Sequence, residues 1–261
     1  MRAVGYTDNL PIDDPCALVD FDAPTPEPGP RDLLVRPRAV SVNPVDVKFR
    51  RGRPAPAGAP TILGWDACGE VVGVGSEVTG FALGDQVWYS AQMDRPGTNA
   101  ELHCVDARIA AAKPKTLDHA AAAAMPLTSV TAWECLFDRL GYTPEPSESN
   151  AARPLLVING AGGLGSMVLQ LARRAGIDVT ATAGREESRR WCRDMGASKV
   201  MPHAALPQVP DNSFPRILCA HDTDRYFDSM TRLVAPQGLV CAVASTHQPH
   251  DLQPLMAKSA G

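Results

Sequence analysis

The sequence predicts an α/β protein in which a small β-rich domain precedes a nucleotide-binding domain built on a doubly wound parallel sheet. Three observations predict this class. The first half carries short β-branched runs separated by Gly, Pro and Asp clusters, as antiparallel β-structures do. The second half alternates apolar runs with amphipathic helical patterns, as βαβ units do. A glycine-rich turn joins the first strand and the first helix of that half.

Short strands with frequent turn signals indicate an antiparallel barrel or sandwich in the first domain, which we place at residues 1–124. The runs are separated by clusters of Gly, Pro and Asp, which favour turns. The predicted strands are residues 33–42, 68–75, 85–89 and 100–105.

The second domain, residues 125–261, is predicted from its alternation of strands and helices. It opens with a helix at 129–140, where apolar residues recur at helical spacing, and a polar stretch at 143–153 is predicted as an exposed loop. The run at 155–158 is apolar throughout, as expected for a strand buried on both faces. The remaining predicted strands are 177–183, 199–201, 216–220 and 238–244, and the remaining helices are 164–175, 186–195 and 226–233.

Charge and composition exclude several classes of partner. Lys and Arg number 25 and Asp and Glu number 29, a formal net charge of −4, so we expect no nucleic-acid partner. No apolar run reaches the roughly 18 residues that span a bilayer. The N-terminus also lacks a basic segment followed by an apolar one, so we expect a cytoplasmic protein with no membrane partner. The seven cysteines are scattered without a CxxC pair, which predicts reduced, mostly buried thiols.

The glycine-rich turn reads Gly-Ala-Gly-Gly-Leu-Gly and fits the GxGxxG pattern of dinucleotide-binding turns. We expect Gly160 to permit the tight turn, Gly162 to let a diphosphate approach the backbone, and Gly165 to let the helix pack on the strand. The alternative is a plain βα turn with no ligand. The predicted diphosphate contacts are Gly160, Ala161, Gly162, Gly163, Leu164 and Gly165.

The choice of cofactor is predicted at the end of the second strand, where NAD-binding proteins place Asp or Glu against the ribose hydroxyl. Residues 183–185 read Ala-Gly-Arg there, so no carboxylate is available to repel a 2′-phosphate. Arg185 can pair with that phosphate through a two-pronged hydrogen bond, with Gly184 beside it and Arg189 and Arg190 near enough to help. The sequence therefore predicts NADPH rather than NADH. The alternative is that Arg185 is a solvated loop residue.

Four separate motifs carry a resemblance to a known family. Residues 43–46 read Asn-Pro-Val-Asp, residues 64–69 read Gly-Trp-Asp-Ala-Cys-Gly, residues 126–133 read Pro-Leu-Thr-Ser-Val-Thr-Ala-Trp, and the glycine turn follows. Together they resemble the medium-chain dehydrogenase/reductase superfamily, and within it the zinc-type alcohol dehydrogenase-like proteins of the quinone oxidoreductase branch. The resemblance implies a GroES-like catalytic domain, a Rossmann domain, and a cleft between them where NADPH and substrate meet.

The metal ligands of the zinc-dependent members of this family are missing. Where those members carry a Cys and a His, this chain has Asn43 and Trp65, which do not bind catalytic zinc. Asp66 stands at the acidic position, but one carboxylate cannot hold a metal. Cys68 and His103 are better explained as packed strand residues, and the four-cysteine structural cluster is absent. We therefore predict no metal.

The resemblance also implies more chain than this sequence shows at its C-terminus. Relatives continue past the fifth Rossmann strand with a sixth strand and a segment that returns to the catalytic domain. Five strands are readable here, so we expect the sixth strand and the return to be missing, either because the chain is shortened or because they were lost. Relatives commonly dimerise through the edge strand at that end, which makes a homodimer an expectation.

Without a metal, hydrogen bonds must polarise the substrate carbonyl. The resemblance implies that Asn43, Asp46 and Lys48 line the catalytic side, and that Thr128 and Thr131 contact the nicotinamide end. Lys48 is the cationic donor among them. The alternatives are a solvated Lys48, an Asp46 that braces a turn, and a Thr131 that is an ordinary helix residue. Trp88 and Tyr89 either wall the substrate pocket or fill the barrel.

Three functions remain open. The favoured function is an NADPH-dependent, zinc-independent reductase of quinones or α,β-unsaturated carbonyls. A zinc-dependent alcohol dehydrogenase is the second, and stoichiometric zinc in the purified protein would favour it. The third is an NADPH-binding sensor or structural protein without turnover, which tight NADPH binding with no oxidation by a panel of quinones and enones would support.

Overall fold

A computed structural model describes residues 1–56 and 59–261 of the chain, which form two units, Met1–Leu127 and Thr128–Gly261. The domain boundary that the sequence predicts between residues 124 and 125 stays a prediction. None of the helices in the described ranges is long and apolar enough to cross a membrane.

The first unit contains two antiparallel sheets, of three and five strands. In the smaller sheet the order is β2-β1-β4, and in the larger it is β7-β3-β5-β6-β8. The four strands predicted for this unit are β3, β5, β6 and β7, so its antiparallel β-rich class is confirmed. The strands are β1 Arg2–Tyr6, β2 Val19–Asp22, β3 Asp32–Ser41, β4 Thr61–Ile62, β5 Asp66–Val74, β6 Gln86–Ser90, β7 His103–Asp106 and β8 Ala110–Ala112, and the helices are α1 Pro44–Gly52 and α2 His119–Ala123.

Tyr89 and Trp88 on β6 belong to the core of this unit. Tyr89 is buried among the apolar side chains of the five-stranded sheet, and Trp88 packs beside buried Cys68. The Tyr89 hydroxyl lies 3.0 Å from His103 Nδ1, and His103 Nε2 lies 3.1 Å from the Pro96 carbonyl oxygen. Since a carbonyl only accepts, Nε2 carries a proton. Burial lowers the pKa of the imidazole, which favours the neutral form, and in that form Nδ1 accepts from the tyrosine hydroxyl.

Acid should destabilise the first unit through His103. The residue is 4% exposed, and burial lowers the pKa of its imidazole to about 4 from an ordinary 6.5. Below pH 6.5 the unfolded chain binds a proton that the folded chain binds only near pH 4, so stability falls as pH drops through this window. We expect a loss of about 3 kcal/mol from this residue between neutral pH and pH 4 in urea unfolding.

His103→Gln should flatten the dependence of the unfolding free energy on pH between pH 6.5 and pH 4, because it removes the titrating group. His247→Gln, which removes an exposed histidine side chain, should leave the profile as in the wild type. A profile for H103Q as steep as that of the wild type would contradict the prediction.

The second unit is built on a five-stranded parallel sheet in the order β11-β10-β9-β12-β13. The chain runs outward from the central β9 in one direction and then in the other, which is the doubly wound arrangement that the sequence predicts. Side chains of β9 alternate between two apolar cores, Leu155 and Val157 on one and Leu156 and Ile158 on the other. The strands are β9 Leu155–Ile158, β10 Val179–Thr182, β11 Lys199–Met201, β12 Phe214–Cys219 and β13 Val234–Ala242, and the helices are α3 Pro126–Trp133, which begins at the end of the first unit, α4 Glu148–Ala151, α5 Gly163–Arg174, α6 Glu186–Met195, α7 Thr223–Leu233 and α8 Gln253–Met256.

Two expectations about this part of the chain were wrong in detail. The helix predicted at 129–140 begins at Pro126, since proline suits the first turn of a helix, and it continues as a π-helix at Glu134–Arg139. The predicted exposed loop at 143–153 contains α4 and the fully buried Asn150. The Asn150 amide donates to three backbone carbonyls, which keeps this polar side chain satisfied inside the unit.

Candidate functional site

The turn between β9 and α5 begins with a left-handed residue, Asn159, whose φ is 67°. The Asn159 N–H donates to Thr182 Oγ1 and the Gly160 N–H donates to the Thr182 carbonyl, so both are held by β10. The left-handed residue of the turn is therefore Asn159, and the predicted role of Gly160 in permitting the tight turn stays a prediction. A Cβ on Gly160 would stand 3.0 Å from the Ala181 Cβ, a tight contact that glycine avoids.

Gly165 allows the close approach of α5 to the turn. A Cβ at this position would stand 2.4 Å from the carbonyl oxygen of Gly160, well inside van der Waals contact. At Gly162, the N-cap of α5, the nearest atom to such a Cβ would be Asn159 Nδ2 at 3.6 Å, so no protein atom crowds this side of the backbone. The first N–H groups of α5 have no acceptor within the helix. Backbone N–H groups at a helix start of this kind can bind an anion.

The structure brings Thr128 to the same turn. A Cβ on Gly163 would stand 3.5 Å from Thr128 Cγ2. Thr131 lies three residues further along α3, so both threonines share one face of that helix. Ala161 and Leu164 pack at the margin of the core beneath the turn. Thr128, Ala161 and Leu164 therefore lie around the start of α5, and the placement of Thr131 beside the turn stays a prediction.

A cavity of about 390 Å³ lies where β10 leads into α6. Arg185 is the N-cap of α6, and the cavity joins it to Ala161 of the glycine turn. The other lining residues stand at positions i, i+3, i+4 and i+7 of α6 or beside them, so they form one helix face. The lining residues are Ala161, Arg185, Glu187, Ser188, Arg190, Trp191 and Asp194.

Arg189, which the sequence indicates as a cofactor residue, is engaged within α6. Its guanidinium contacts the Glu186 carboxylate at 2.7 and 3.0 Å and donates to the Gly184 carbonyl at 2.8 Å. Arg193 contacts the same carboxylate at 2.8 Å, and the two guanidinium groups lower the pKa of Glu186. Arg190 lines the cavity instead. Neither Arg185 nor Arg190 forms an ion pair with any residue of the described ranges.

Trp191 is a residue of this site that sequence reasoning missed. Its indole N–H donates to Ser166 Oγ at 2.8 Å, and the Ser166 hydroxyl donates to the Gly162 carbonyl at 2.9 Å. This chain of hydrogen bonds ties α6 to the glycine turn. The helical spacing of Glu187, Arg190, Trp191 and Asp194 was the signal that could have found the face.

His203 is a second missed residue. Its imidazole lies 3.6 Å from the point where a Cβ on Gly184 would stand, at the end of β10. Burial lowers the pKa of this imidazole, and its Nδ1 is buried without a partner in the described ranges. The isolated histidine after β11 gave no sequence signal of its own.

In the first unit, Asn43 and Asp46 hold the start of α1. The Asp46 carboxylate accepts from the Asn43 backbone N–H at 2.8 Å, and the Asn43 amide donates to Asp66 Oδ2 at 2.8 Å. Burial raises the pKa of both carboxyl groups, Asp46 and Asp66. Lys48 is exposed on the same helix. The three predicted catalytic residues are therefore neighbours in the chain, but two of them are engaged in capping α1.

The donor set near Asn43 does not fit a zinc ion. Asp66 is fully buried, and its carboxylate already accepts from Asn43, from the Ser41 hydroxyl at 2.9 Å and from the Leu127 N–H at 2.8 Å. Trp65 packs edge-on against Phe49 and offers no ligand atom. No group of three or more His, Cys, Asp or Glu residues that could hold a metal occurs in the described ranges. We derive no chemistry through zinc here, and metal independence stays a prediction.

Comparisons with known proteins agree on the class. Residues 29–118 match the family model of the alcohol dehydrogenase GroES-like domain. The zinc-type alcohol dehydrogenase-like protein of Staphylococcus epidermidis is 38% identical over 99% of this chain and 78% of its own length. The 2-methylene-furan-3-one reductase of Solanum lycopersicum is 34% identical over 72% of this chain and 49% of its own length.

Solved structures give the same result. A Rhizobium etli protein assigned to the zinc-dependent alcohol dehydrogenases is 42% identical with a TM-score of 0.91, over 100% of this chain and 77% of that one. A mycobacterial protein solved in complex with NADPH is 28% identical with a TM-score of 0.81, over 100% of this chain and 80% of that one. A GroES-like unit followed by a parallel dinucleotide-binding sheet defines a nicotinamide-dependent oxidoreductase. The chain belongs to the medium-chain dehydrogenase/reductase superfamily.

Proposed function

We propose that the protein is an NADPH-dependent, zinc-independent reductase of quinones or α,β-unsaturated carbonyls. The observation that carries the proposal is the cavity beside the glycine turn, where Arg185 and Arg190 stand and the β10 terminus has no carboxylate. NADPH differs from NADH only by the 2′-phosphate, so the choice depends on charge at this point.

Charge on the cavity wall supports NADPH. Two guanidinium groups can bind a phosphate through paired hydrogen bonds, and neither is engaged in an ion pair in the described ranges. Glu187 and Asp194 lie on the same helix face and oppose them in part. Because Glu187 falls in the first turn of α6, its carboxylate is also stabilised by the helix dipole.

The other predicted site residues bind the cofactor, position the catalytic helix or donate a hydrogen bond to the substrate. When bound, NADPH supplies the hydride; the backbone N–H groups at the start of α5 hold its diphosphate, and Thr128 and Thr131 contact the nicotinamide end. We assign to Lys48 the role of donor to the substrate carbonyl oxygen, where negative charge develops. Asn43 and Asp46 are positioning residues, because they fix the start of the helix that carries Lys48.

Substrate class and metal independence rest on different supports. The tomato relative is named for reduction of a 2-methylene-furan-3-one, an unsaturated ketone. A cavity of about 940 Å³ in the first unit is lined mainly by apolar side chains, among them Phe49, Trp65 and Met93, which suits an apolar substrate.

The zinc alternative is favoured by the names of two relatives, but Asn43 and Trp65 are not zinc ligands. A homodimer and a cytoplasmic location stay predictions.

Fluorescence titration with NADPH and NADH tests the cofactor assignment. Arg185→Ala and Arg190→Ala should each weaken NADPH binding roughly 10-fold or more and leave NADH binding unchanged, because each loses a charge-assisted hydrogen bond to the phosphate. Arg193→Ala is the matched control, since its guanidinium pairs with Glu186 and lies outside the cavity. Equal affinities for the two cofactors in the wild type, or an unchanged ratio in R185A, would overturn the assignment.

Turnover tests the reaction. We expect NADPH oxidation by quinones or enones that survives treatment with a chelator, in protein that contains no stoichiometric zinc by metal analysis. Activity that disappears with the chelator and returns with zinc would favour the alcohol dehydrogenase. NADPH binding without turnover of any quinone or enone tested would favour the NADPH-binding sensor or structural protein.

A further inference from the structure

Two thiols of the second unit lie in contact although they are 106 residues apart in the chain. Cys135 is on the π-helix that continues α3, and Cys241 is near the end of β13. Their sulfur atoms are 3.7 Å apart. A disulfide requires about 2.05 Å between the sulfurs, so the pair must close by less than ~2 Å. Side-chain rotation with a small backbone shift covers a gap of this size.

The backbone around Cys135 departs from regular helix geometry. The Leu140 N–H donates to the Cys135 carbonyl five residues back, which is the wider π-type turn. Such turns are less tightly constrained than an α-helix and frequently mark functional positions. The Cys135 side chain therefore sits where the helix can adjust.

The two thiols differ in exposure and reactivity. Cys135 is 5% exposed in the apolar core, whereas Cys241 is partly exposed to solvent. Contact with Cys135 lowers the pKa of Cys241 to about 7, against the effect of burial and with help from the positive charge of Arg139. The same contact and burial, with the nearby Glu134, raise the pKa of Cys135. Cys241 is therefore the thiol of the pair that ionises more readily, and Cys135 keeps its proton.

We propose that Cys241 and Cys135 are a redox-active pair that hydrogen peroxide converts into an intramolecular disulfide. Cys241 is the attacking thiol, because it ionises more readily than Cys135 and is partly exposed to solvent. Cys135 is the resolving thiol, because it lies in contact with Cys241 and is shielded from solvent oxidants.

The chemistry balances with peroxide alone. The Cys241 thiolate attacks one oxygen of hydrogen peroxide, the O–O bond breaks, and a sulfenic acid and hydroxide form. Hydroxide takes the proton of the Cys135 thiol and becomes water. The Cys135 thiolate then attacks the Cys241 sulfur, the S–S bond forms, and the departing hydroxide takes up the proton that Cys241 released. Two thiols lose two electrons, and peroxide is reduced to two waters.

The disulfide between Cys135 and Cys241 would link β13 covalently to the π-helix that continues α3. Because it closes a loop of more than a hundred residues, it restricts the unfolded chain strongly. We expect the oxidised protein to melt several degrees higher than the reduced protein, with reversal by dithiothreitol.

Peptide mass mapping of the whole chain tests the proposal. The protein is treated with hydrogen peroxide, denatured, alkylated and digested. We expect one linked peptide joining Cys135 and Cys241, lighter by two hydrogen atoms, and loss of two of the seven thiols. In Cys135→Ser, dimedone should trap a sulfenic acid on Cys241. Cys16→Ser is the matched control, since it removes an exposed cysteine elsewhere and should form the linked peptide as the wild type does.

Two results would overturn it. One is a peroxide-treated wild type in which both thiols still alkylate fully. The other is a Cys241 that passes to sulfinic acid in the wild type with no linked peptide. Both are read on the wild-type chain, so the test holds even if a serine variant fails to fold.

Discussion

Gly165→Ala should destabilise the second unit and abolish binding of NADPH and NADH alike. A Cβ at this position would stand 2.4 Å from the Gly160 carbonyl oxygen and 2.6 Å from the carbonyl carbon. These are backbone atoms of the turn, so relief requires α5 to move away from it. We expect a loss of roughly 1–3 kcal/mol in unfolding free energy. Binding should fall below detection in titrations that resolve it for the wild type.

The control for this prediction is Gly52→Ala at the end of α1. A Cβ there would meet no atom within 4 Å, and alanine favours the helix more than glycine does. G52A should bind both cofactors as the wild type does. Since the Arg185 substitution is expected to affect NADPH alone, wild-type NADH binding by G165A would show that the turn does not hold the diphosphate.

Asp66→Ala should be the most destabilising change in the first unit. The fully buried carboxylate accepts from Ser41, Asn43 and the Leu127 N–H, so its removal breaks three hydrogen bonds and opens a cavity. We expect a loss of about 3–5 kcal/mol, measured by urea unfolding. Lys48 should lose its position as well, because Asn43 caps the helix that carries it.

Asp66→Asn removes the charge and keeps one of the two acceptor oxygens, while its NH2 group faces a donor in place of the other oxygen. Burial raises the pKa of Asp66, which means that the site penalises the charge, so the neutral amide with one acceptor should cost less than alanine. Asp8→Ala, at an exposed position, should change stability little. Equal losses for D66A and D66N would contradict the prediction, because they would show that the retained acceptor oxygen contributes nothing to stability.

Much of the fold was readable from the sequence because its signals are local. Alternating apolar runs and turn residues predicted β3, β5 and β6 to within a few residues, and the continuous run at β9 predicted a strand buried on both faces. The helix predicted to begin at residue 129 begins three residues earlier, because proline at position 126 suits the first turn of a helix. Asn150 was misjudged because its three carbonyl partners include Ala175, which is distant in the chain.

The candidate site was also predictable only where its signals are local. The glycine spacing located the turn, but the roles of its residues depend on what β10 places beside them, and so the left-handed position belongs to Asn159. From the sequence, Arg189 and Arg190 were equally good candidates for contact with the 2′-phosphate. The structure distinguishes them, because α6 directs Arg189 toward Glu186 and Arg190 to the cavity. Trp191 reaches Ser166, a contact between two helices that no local pattern encodes.

The way α6 distributes its arginines bears on how such enzymes diverge. Glu186 is neutralised by Arg189 and Arg193 within the helix, so the integrity of the first turn does not depend on Arg185 or Arg190. If Arg185 selects NADPH, as we propose, a lineage can replace position 185 and change its cofactor preference without first acquiring a compensating change in α6. Selection on the choice of cofactor and selection on folding would then act on separate side chains of one short segment.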